Sequence, residues 1–221
     1  MKKKILATIL IGIFLTFIIY KVFYHEKVSI VTLGDNLSLG YTAYHIRGYS
    51  FNDYLKDYYE NKKITLKYIT SFSHEYETTE TLLLKLENNY TLDNKESITE
   101  AIYSSSVLTL ALGMEELNSK TKITSKEINN YLENMTKILK ILDIYNKKQI
   151  FLISLYPTHK LSLKQVKELN SNLKEIASLY HTTFIDITDI TTNKDYFFDN
   201  DNYELNYKGH KYISEKIINC L

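Results

Sequence analysis

The chain has 221 residues, of which 44% are hydrophobic and 24% charged, with a formal net charge of +1 at pH 7. That length and hydrophobic content suffice for one globular domain with a substantial core, and they argue against a disordered chain. The balanced charge argues against a nucleic-acid partner, because phosphate binding requires a concentrated basic face. The single cysteine, Cys220, excludes an intrachain disulfide bond.

Residues 1–26 have the pattern of a membrane anchor. Three lysines, Lys2 to Lys4, precede the uncharged run from Ile5 to Tyr20, and Lys21 follows it. The run exceeds the ~7–15 apolar residues of a cleaved signal peptide, lacks a small-residue cleavage site, and approaches the ~20 residues that span a bilayer. A core helix is the alternative interpretation. Because lysine-rich flanks stay in the cytoplasm, we predict a single-pass anchor with the rest of the chain outside.

From Lys27 onward, short β-branched runs alternate with longer segments of helical periodicity. The predicted strands are Val28–Leu33, Ile64–Thr70, Val107–Leu112, Gln149–Leu155 and Thr183–Ile187. The predicted helices are Ser50–Asn61, Thr79–Asn89, one started by Asp93–Glu96, one started by Thr124–Glu127, one capped by Ser162 and Gln165, and Tyr207–Asn219. Strands separated by helices pair in parallel, so residues 27–221 should form one doubly wound α/β domain with a five-stranded parallel sheet flanked by helices, preceded by the transmembrane helix.

The site of such a sheet lies at the carboxyl ends of its strands. Four segments should therefore converge: Gly34–Asn36, Phe72–Glu75, Gly113–Glu116 and the segment before the last helix. The first has the pattern of a tight turn that lifts one side chain above the sheet. Here that side chain belongs to Asn36, whose amide cannot act as a serine hydroxyl would, because its nitrogen shares its lone pair with the carbonyl.

The order of these motifs resembles the SGNH hydrolase (GDSL esterase/lipase) superfamily over nearly all of residues 28–219. The resemblance is carried by Gly-Asp-x-Leu-Ser from Gly34, by Gly113 after Leu-Thr-Leu-Ala-Leu, and by Asp-x-x-x-Leu-Asn-x-x-Gly-His from Asp201. It implies an SGNH-like or flavodoxin-like sheet. In that family a serine follows Gly-Asp, a glycine and an asparagine complete the oxyanion hole, and a histidine three residues after an aspartate is the base.

Carried over to this chain, the resemblance puts Asn36 at the serine position, Glu75 at the glycine, Glu115 at the asparagine and Glu204 at the histidine, with Asp201 retained. Losing one oxyanion donor costs ~10²–10³ in rate, and losing the nucleophile or base costs on the order of 10⁶. Glu115 would also place a carboxylate where negative charge develops. The resemblance therefore implies a degenerate member with its catalytic residues replaced.

We accordingly predict an extracytoplasmic pseudo-hydrolase that binds an unknown ligand or protein partner at the old substrate cleft, without a cofactor. The candidate ligand-binding residues are Asp35, Asn36, Gly113, Glu115 and Glu204. One alternative is an active esterase or lipase that acts on cell-envelope lipids or acylated sugars with atypical residues. Another is a scaffold for a second membrane protein.

Two further hypotheses concern the same segments. The carboxylates expected at one rim are Asp35, Glu75, Glu115, Glu116, Asp201 and Glu204. Crowded carboxylates bind a cation or raise one another's pKa, so a cation site is a secondary hypothesis. Ser38 is interpreted as a residue that supports the turn, and His210 as matching a structural histidine of the family.

Overall fold

The computed structural model describes residues 27–42, 44, 46–146, 148–198 and 201–221, without the side chains of residues 201–203. The predicted anchor, residues 1–26, lies outside this range, and so does the side chain of Asp201. No helix in the described part of the chain combines the length and the hydrophobicity needed to cross a bilayer.

Five parallel strands form one sheet, which confirms the predicted α/β architecture. They are β1 (Lys27–Gly34), β2 (Thr65–Ile69), β3 (Val107–Ala111), β4 (Gln149–Ile153) and β5 (Thr183–Ile185). Their spatial order is β2-β1-β3-β4-β5, and every neighbouring pair is parallel. The central strand β3 is buried at every residue, as expected for a strand that has neighbours on both sides and helices on both faces.

The helices connect consecutive strands and cover both faces of the sheet. They are α1 (Asn36–Leu39), α2 (Phe51–Asn61), α3 (Thr79–Glu87), α4 (Ile98–Ser104), α5 (Met114–Asn118), α6 (Ser125–Tyr145), α7 (Leu163–Leu179) and α8 (Tyr207–Ile218). Helix α2 packs on α8, whereas α3, α4 and α7 pack on α6. Right-handed crossovers explain this division, because the chain moves outward from β1 to β2 and then returns across β1 to β3. The reversal leaves a crevice at the carboxyl ends of β1 and β3.

The register of β1 and β3 brings the segments that follow these two strands side by side. Gly34, the last residue of β1, pairs with Ala111, the last residue of β3. The segments that follow the two strands therefore start side by side. Asn52 of α2 fixes this region to the helix layer, since its amide donates to the Ser38 carbonyl at 2.9 Å and its oxygen accepts from the Thr109 hydroxyl at 2.7 Å.

One predicted helix start is wrong. The capping box proposed at Asp93–Glu96 belongs to a turn in which Lys95 has φ +68°, and α4 begins later, after Ser97. Ser97 and Glu100 make both reciprocal capping bonds. The later start is favoured because the helix then buries Ile98, Ala101 and Ile102 on one face.

The segment between β5 and α8 holds structure that the sequence pattern did not predict. Two short 3₁₀ helices, Thr188–Thr192 and Lys194–Tyr196, lead into an antiparallel hairpin of β6 (Phe197–Phe198) and β7 (Asp201–Leu205). Asn206 then caps α8, and its amide also donates to the backbone carbonyls of Asp195 and Phe197. The hairpin brings Glu204 to the carboxyl edge of the sheet.

Candidate functional site

The turn after β1 is built around a glycine and a buried aspartate. Gly34 has φ +136°, and a Cβ at this position would lie 1.9 Å from the Ala111 carbonyl oxygen. Asp35 is fully buried, and its carboxylate accepts from the backbone N–H groups of Leu37 and Gly113, each at 3.1 Å, and of Glu115 at 3.4 Å. Asp35 therefore ties the β1–α1 turn to the loop after β3.

Burial raises the pKa of Asp35 to about 7, and the nearby charge of Glu115 raises it further, while the three N–H donors oppose the shift. Desolvation outweighs the donors because the carboxylate has no contact with water. Asp35 lies beneath the cleft and not at its rim, contrary to the prediction, and Gly113 serves there as a backbone donor to Asp35.

Asn36, at the position implied for the nucleophile, is held inside the structure. Its side chain is 5% exposed, and its Oδ1 accepts from the backbone N–H of Tyr76 at 3.0 Å. Ser38, two residues later, is 1% exposed, with its Oγ 3.0 Å from the Leu33 carbonyl oxygen and 3.2 Å from that of Ala111. Ser38 thus supports the turn and presents no hydroxyl to the cleft.

A small cavity marks the cleft and brings three of the implied site residues together. It is lined by Asn36, Leu37, Tyr41, Met114, Glu115, Tyr156, Glu204, Leu205 and His210. Its free volume is about 10 Å³, enough for roughly one water molecule and far below the ~300–1,000 Å³ of ligand pockets. This cavity is therefore too small for an organic ligand.

Tyr76 lies beside this cleft, because its backbone N–H donates to Asn36, which lines the cavity, and sequence reasoning missed it. Desolvation raises the pKa of its phenol, as do the charge of Glu75 and a hydrogen bond with it, and then the charges of Glu115 and Glu204. Three of the predicted acidic residues therefore disfavour ionisation of this one hydroxyl group. No pattern in the sequence indicated this turn, because the Tyr76 backbone has φ +58°, a conformation that tyrosine rarely adopts.

Glu116 does not join this rim, contrary to the prediction. Its carboxylate accepts from the Thr79 backbone N–H at 2.7 Å and from the Thr79 hydroxyl at 3.1 Å. It lines a separate cavity of about 310 Å³ with Glu80, Glu127 and Glu133. Within the described ranges, no group of three or more His, Cys, Asp or Glu side chains has an arrangement that could hold a metal ion.

His210 lines the cleft as a neutral, packed side chain. It is 3% exposed, its ring stacks on Phe51 at 6.3 Å between centroids, and burial lowers its pKa to about 4 against the opposing charge of Asp53. Its Nδ1 has no hydrogen-bond partner among the described residues. These surroundings are typical of a structural histidine, since a general base works best with a pKa near the operating pH.

Comparisons with known proteins show the family and the fold. A model of the family described as GDSL-like lipase/acylhydrolase matches residues 30–217. No curated protein sequence matches the chain.

Solved structures share the fold at low sequence identity. A lipase from a goat rumen metagenome superposes with a TM-score of 0.70 at 20% identity, covering 87% of this chain and 96% of its own. A lipase/acylhydrolase from Enterococcus faecalis gives 0.65 at 18% identity, covering 87% and 94%. A catalytic mutant of an acetylxylan esterase from Geobacillus stearothermophilus gives 0.67 at 10% identity, covering 89% and 94%. At these identities the likeness concerns the fold.

Proposed function

The chain belongs to the GDSL-like lipase/acylhydrolase family, and we propose that it is a member that does not hydrolyse esters and instead binds a ligand or partner at its cleft. The observation that carries this proposal is the 3.0 Å hydrogen bond from the Tyr76 backbone N–H to Asn36 Oδ1. The side chain at the nucleophile position is an amide with its oxygen already bonded. Among the described residues, no serine, threonine or cysteine lines the cavity.

The electrostatics of the cleft also oppose acyl transfer. Ester hydrolysis builds negative charge on an oxygen, which donors must face for the reaction to be fast. Here Glu115 and Glu204 line the cavity, and the backbone N–H of Tyr76 already donates to Asn36 Oδ1. A tetrahedral oxyanion would meet carboxylates in place of donors.

No side chain of the described cleft is suited to act as a base near pH 7. His210 is buried against Phe51 with a pKa of about 4. Glu204 is a carboxylate of reference pKa about 4.3, a weaker proton acceptor near neutrality than imidazole at about 6.5. Neither Glu204, at the implied base position, nor the structural histidine His210 is therefore suited to the chemistry.

The proposed location is outside the cytoplasmic membrane, on the anchor formed by residues 1–26. Lys27 begins β1 at the amino end of the sheet, whereas Asn36 follows the carboxyl end of the same strand. The eight residues of β1 span roughly 26 Å at the usual rise of ~3.3 Å per residue. An anchor that precedes Lys27 therefore leaves the cleft on the side of the domain away from the bilayer.

The test is an ester-hydrolysis assay on the full chain in a non-ionic detergent. Suitable substrates are p-nitrophenyl acetate and butyrate, with acetylated xylan because one fold relative is an acetylxylan esterase. We expect rates equal to those of buffer, while an active GDSL esterase assayed in parallel reports on the conditions. Turnover that disappears in Asp201→Ala or Glu204→Gln would overturn the proposal, because those changes remove the retained aspartate and the residue at the base position.

A further inference from the structure

The amino-terminal edge of the sheet, opposite the cleft, is a surface built from the turns that enter the strands. β1 begins at Lys27, and α2, α4, α6 and α7 end at this edge, before β2, β3, β4 and β5. Neighbouring turns are in contact, since the Asn146 amide donates to Ser105 Oγ at 2.6 Å and His181 Nδ1 lies 3.1 Å from Asp143 Oδ1. We call this surface the amino face; it consists of Lys27 and residues 61–64, 103–106, 144–146, 148 and 179–182.

Large hydrophobic side chains of the amino face are exposed to solvent. Tyr103 is 76% exposed, Leu179 is 70% exposed and Ile144 is 60% exposed, and Tyr145 is exposed beside Ile144. They lie in the last turns of α4, α6 and α7. Tyrosine among aliphatic residues is typical of a membrane–water interface, where one end of the side chain is in an apolar environment and the other is in water.

The same face is basic. Among its described residues it contains no Asp or Glu. The carboxylates that border it, Glu60 and Asp143, are paired with Lys56 and His181. The long apolar stem of a lysine can lie along a membrane surface while its ammonium group reaches the headgroups. The exposed lysines of the amino face are Lys27, Lys62, Lys63 and Lys148.

The amino face is also the part of the domain nearest to the proposed anchor. Six residues, 21–26, separate Tyr20, the last residue of the apolar run, from Lys27. Even when fully extended, six residues reach at most about 22 Å. Lys27 therefore stays close to the membrane surface, whereas the cleft is a further strand length away along β1.

We infer that the amino face docks on the lipid bilayer, with its exposed apolar side chains among the headgroups and its lysines against anionic phospholipids. Docking goes beyond anchoring, because a tether alone leaves the domain free to rotate, whereas a docked face holds the cleft away from the membrane. The lysines contribute an attraction that salt screens. The inference rests on the proposed location, since the anchor brings the face to the bilayer.

Fluorescence quenching by lipid tests the docking on the full chain. Cys220→Ser removes the only native cysteine, so a label can be attached through Ser104→Cys on the amino face or through Ser119→Cys beyond the opposite end of β3. The two positions are matched, because each serine is exposed and donates to the carbonyl three residues earlier, at 3.1 and 2.9 Å.

The labelled chains are placed in vesicles of phosphatidylcholine and phosphatidylglycerol that carry a nitroxide on the headgroup. The label at position 104 should be quenched about threefold more strongly than the label at position 119, because the five residues of β3 alone separate the two ends by roughly 16 Å. Equal quenching at the two positions would overturn the docking.

Charge reversal separates docking from tethering. Lys63→Glu with Lys148→Glu should lower the quenching at position 104 by about twofold, because two lysines of the amino face become carboxylates. Lys194→Glu with Lys208→Glu makes the same change of charge at exposed positions of the segment that leads into α8. We expect this control to keep the quenching of the unmodified face. Equal quenching in the two double variants would overturn the docking and leave the anchor standing.

Flotation of the labelled chains with the vesicles reports on the anchor separately. A chain that floats without quenching at position 104 has an anchor but no docked face. Cross-linking of two chains through position 104, without quenching by lipid, would assign the face to a second copy and overturn the docking. A chain that does not float would overturn both the proposed location and the docking.

Discussion

Two buried ionisable side chains beside the cleft have pKa values shifted in opposite directions. Burial raises the pKa of Asp35 from 3.8 to about 7, with the charge of Glu115 adding to the shift. Burial lowers the pKa of His210 from 6.5 to about 4, with the charge of Asp53 opposing. The same desolvation acts on both, and it favours the neutral form in each case.

The two shifts should nearly cancel in the pH dependence of stability. Between about pH 4 and 7, folded Asp35 keeps a proton that the unfolded chain has lost, so its contribution to the free energy of unfolding falls as pH rises. Between about pH 4 and 6.5, unfolded His210 holds a proton that the folded chain lacks, so its contribution rises with pH.

Single substitutions should reveal how each side chain changes the free energy of unfolding with pH. We expect the free energy of unfolding to fall with rising pH in His210→Phe, which keeps a ring against Phe51, and to rise in Asp35→Asn. The slopes should differ by up to about 2.7 kcal/mol per pH unit, twice the value for one proton. Denaturant unfolding at pH 4.5, 5.5 and 6.5 measures them. Parallel pH profiles for the two variants would contradict the assigned shifts.

For Asn36, the sequence predicts the chemistry of the side chain but not its contacts. That Asn36 has no nucleophilic atom follows from its chemistry alone. That its oxygen would bond the Tyr76 N–H does not, because the two residues are forty positions apart and meet only when the loop after β2 reaches the turn after β1. Tyr76 escaped prediction for the same reason.

At the scale of elements, the end of β3 is joined to α5 by a glycine position that has no room for a side chain. Gly113 follows β3 with φ +112°, and a Cβ there would lie 2.5 Å from the ring of Tyr131 on α6. Tyr131 is fully buried, and its hydroxyl donates to the Leu112 carbonyl at 3.1 Å, so it cannot easily move aside. This contact fixes α6 against the β3 end and shapes the loop that carries Glu115.

Gly113→Ala should therefore destabilise the domain by about 3 kcal/mol, the sum of backbone strain and overpacking. Gly48→Ala is the control, because Gly48 is exposed, does not have a positive φ, and a Cβ there would lie no closer than 3.2 Å to another atom, the Gly40 carbonyl oxygen. We expect the control to change the free energy of unfolding by about 0.5 kcal/mol or less. Denaturant unfolding measures both variants. Similar losses of the free energy of unfolding would mean that the Tyr131 ring moves to accommodate the added methyl group.

Element order and type were predictable because periodicity survives in the sequence, and all five predicted strands are present in the sheet. The helix start at Asp93–Glu96 was misplaced because two overlapping capping patterns compete, and only the buried face of α4 decides between Ser97 and the earlier residues. The hairpin before α8 was missed because β6 has only two residues and its pairing with β7 shifts register between Phe197 and Phe198.

At the scale of the whole molecule, the proposed anchor and the cleft lie toward opposite ends of β1. The arrangement makes a direct prediction about fractionation. The full chain should sediment with membranes and resist a high-salt wash. Ile11→Asp together with Leu15→Asp should release it, because each charge near the centre of a span costs about 3 kcal/mol on insertion scales.

The control for membrane release is a pair of Leu-to-Asp substitutions outside the apolar run of residues 5–20. Leu163 and Leu179 are exposed on the domain surface, so Leu163→Asp with Leu179→Asp should leave the chain in the membrane fraction. Salt-extractable full chain, or retention of the Ile11 and Leu15 double variant, would argue against the anchor.

Local periodicity and residue identity were enough to predict the five strands of the sheet and most of its helices, and they carry the family resemblance that implies a replaced nucleophile and base. The sequence did not reveal that Asp35 is buried, that the Glu116 carboxylate bonds to Thr79, or that the Tyr76 N–H donates to Asn36 Oδ1. Those outcomes depend on which backbone groups meet across the sheet edge. Such contacts join residues far apart in the chain, where neither periodicity nor spacing carries information.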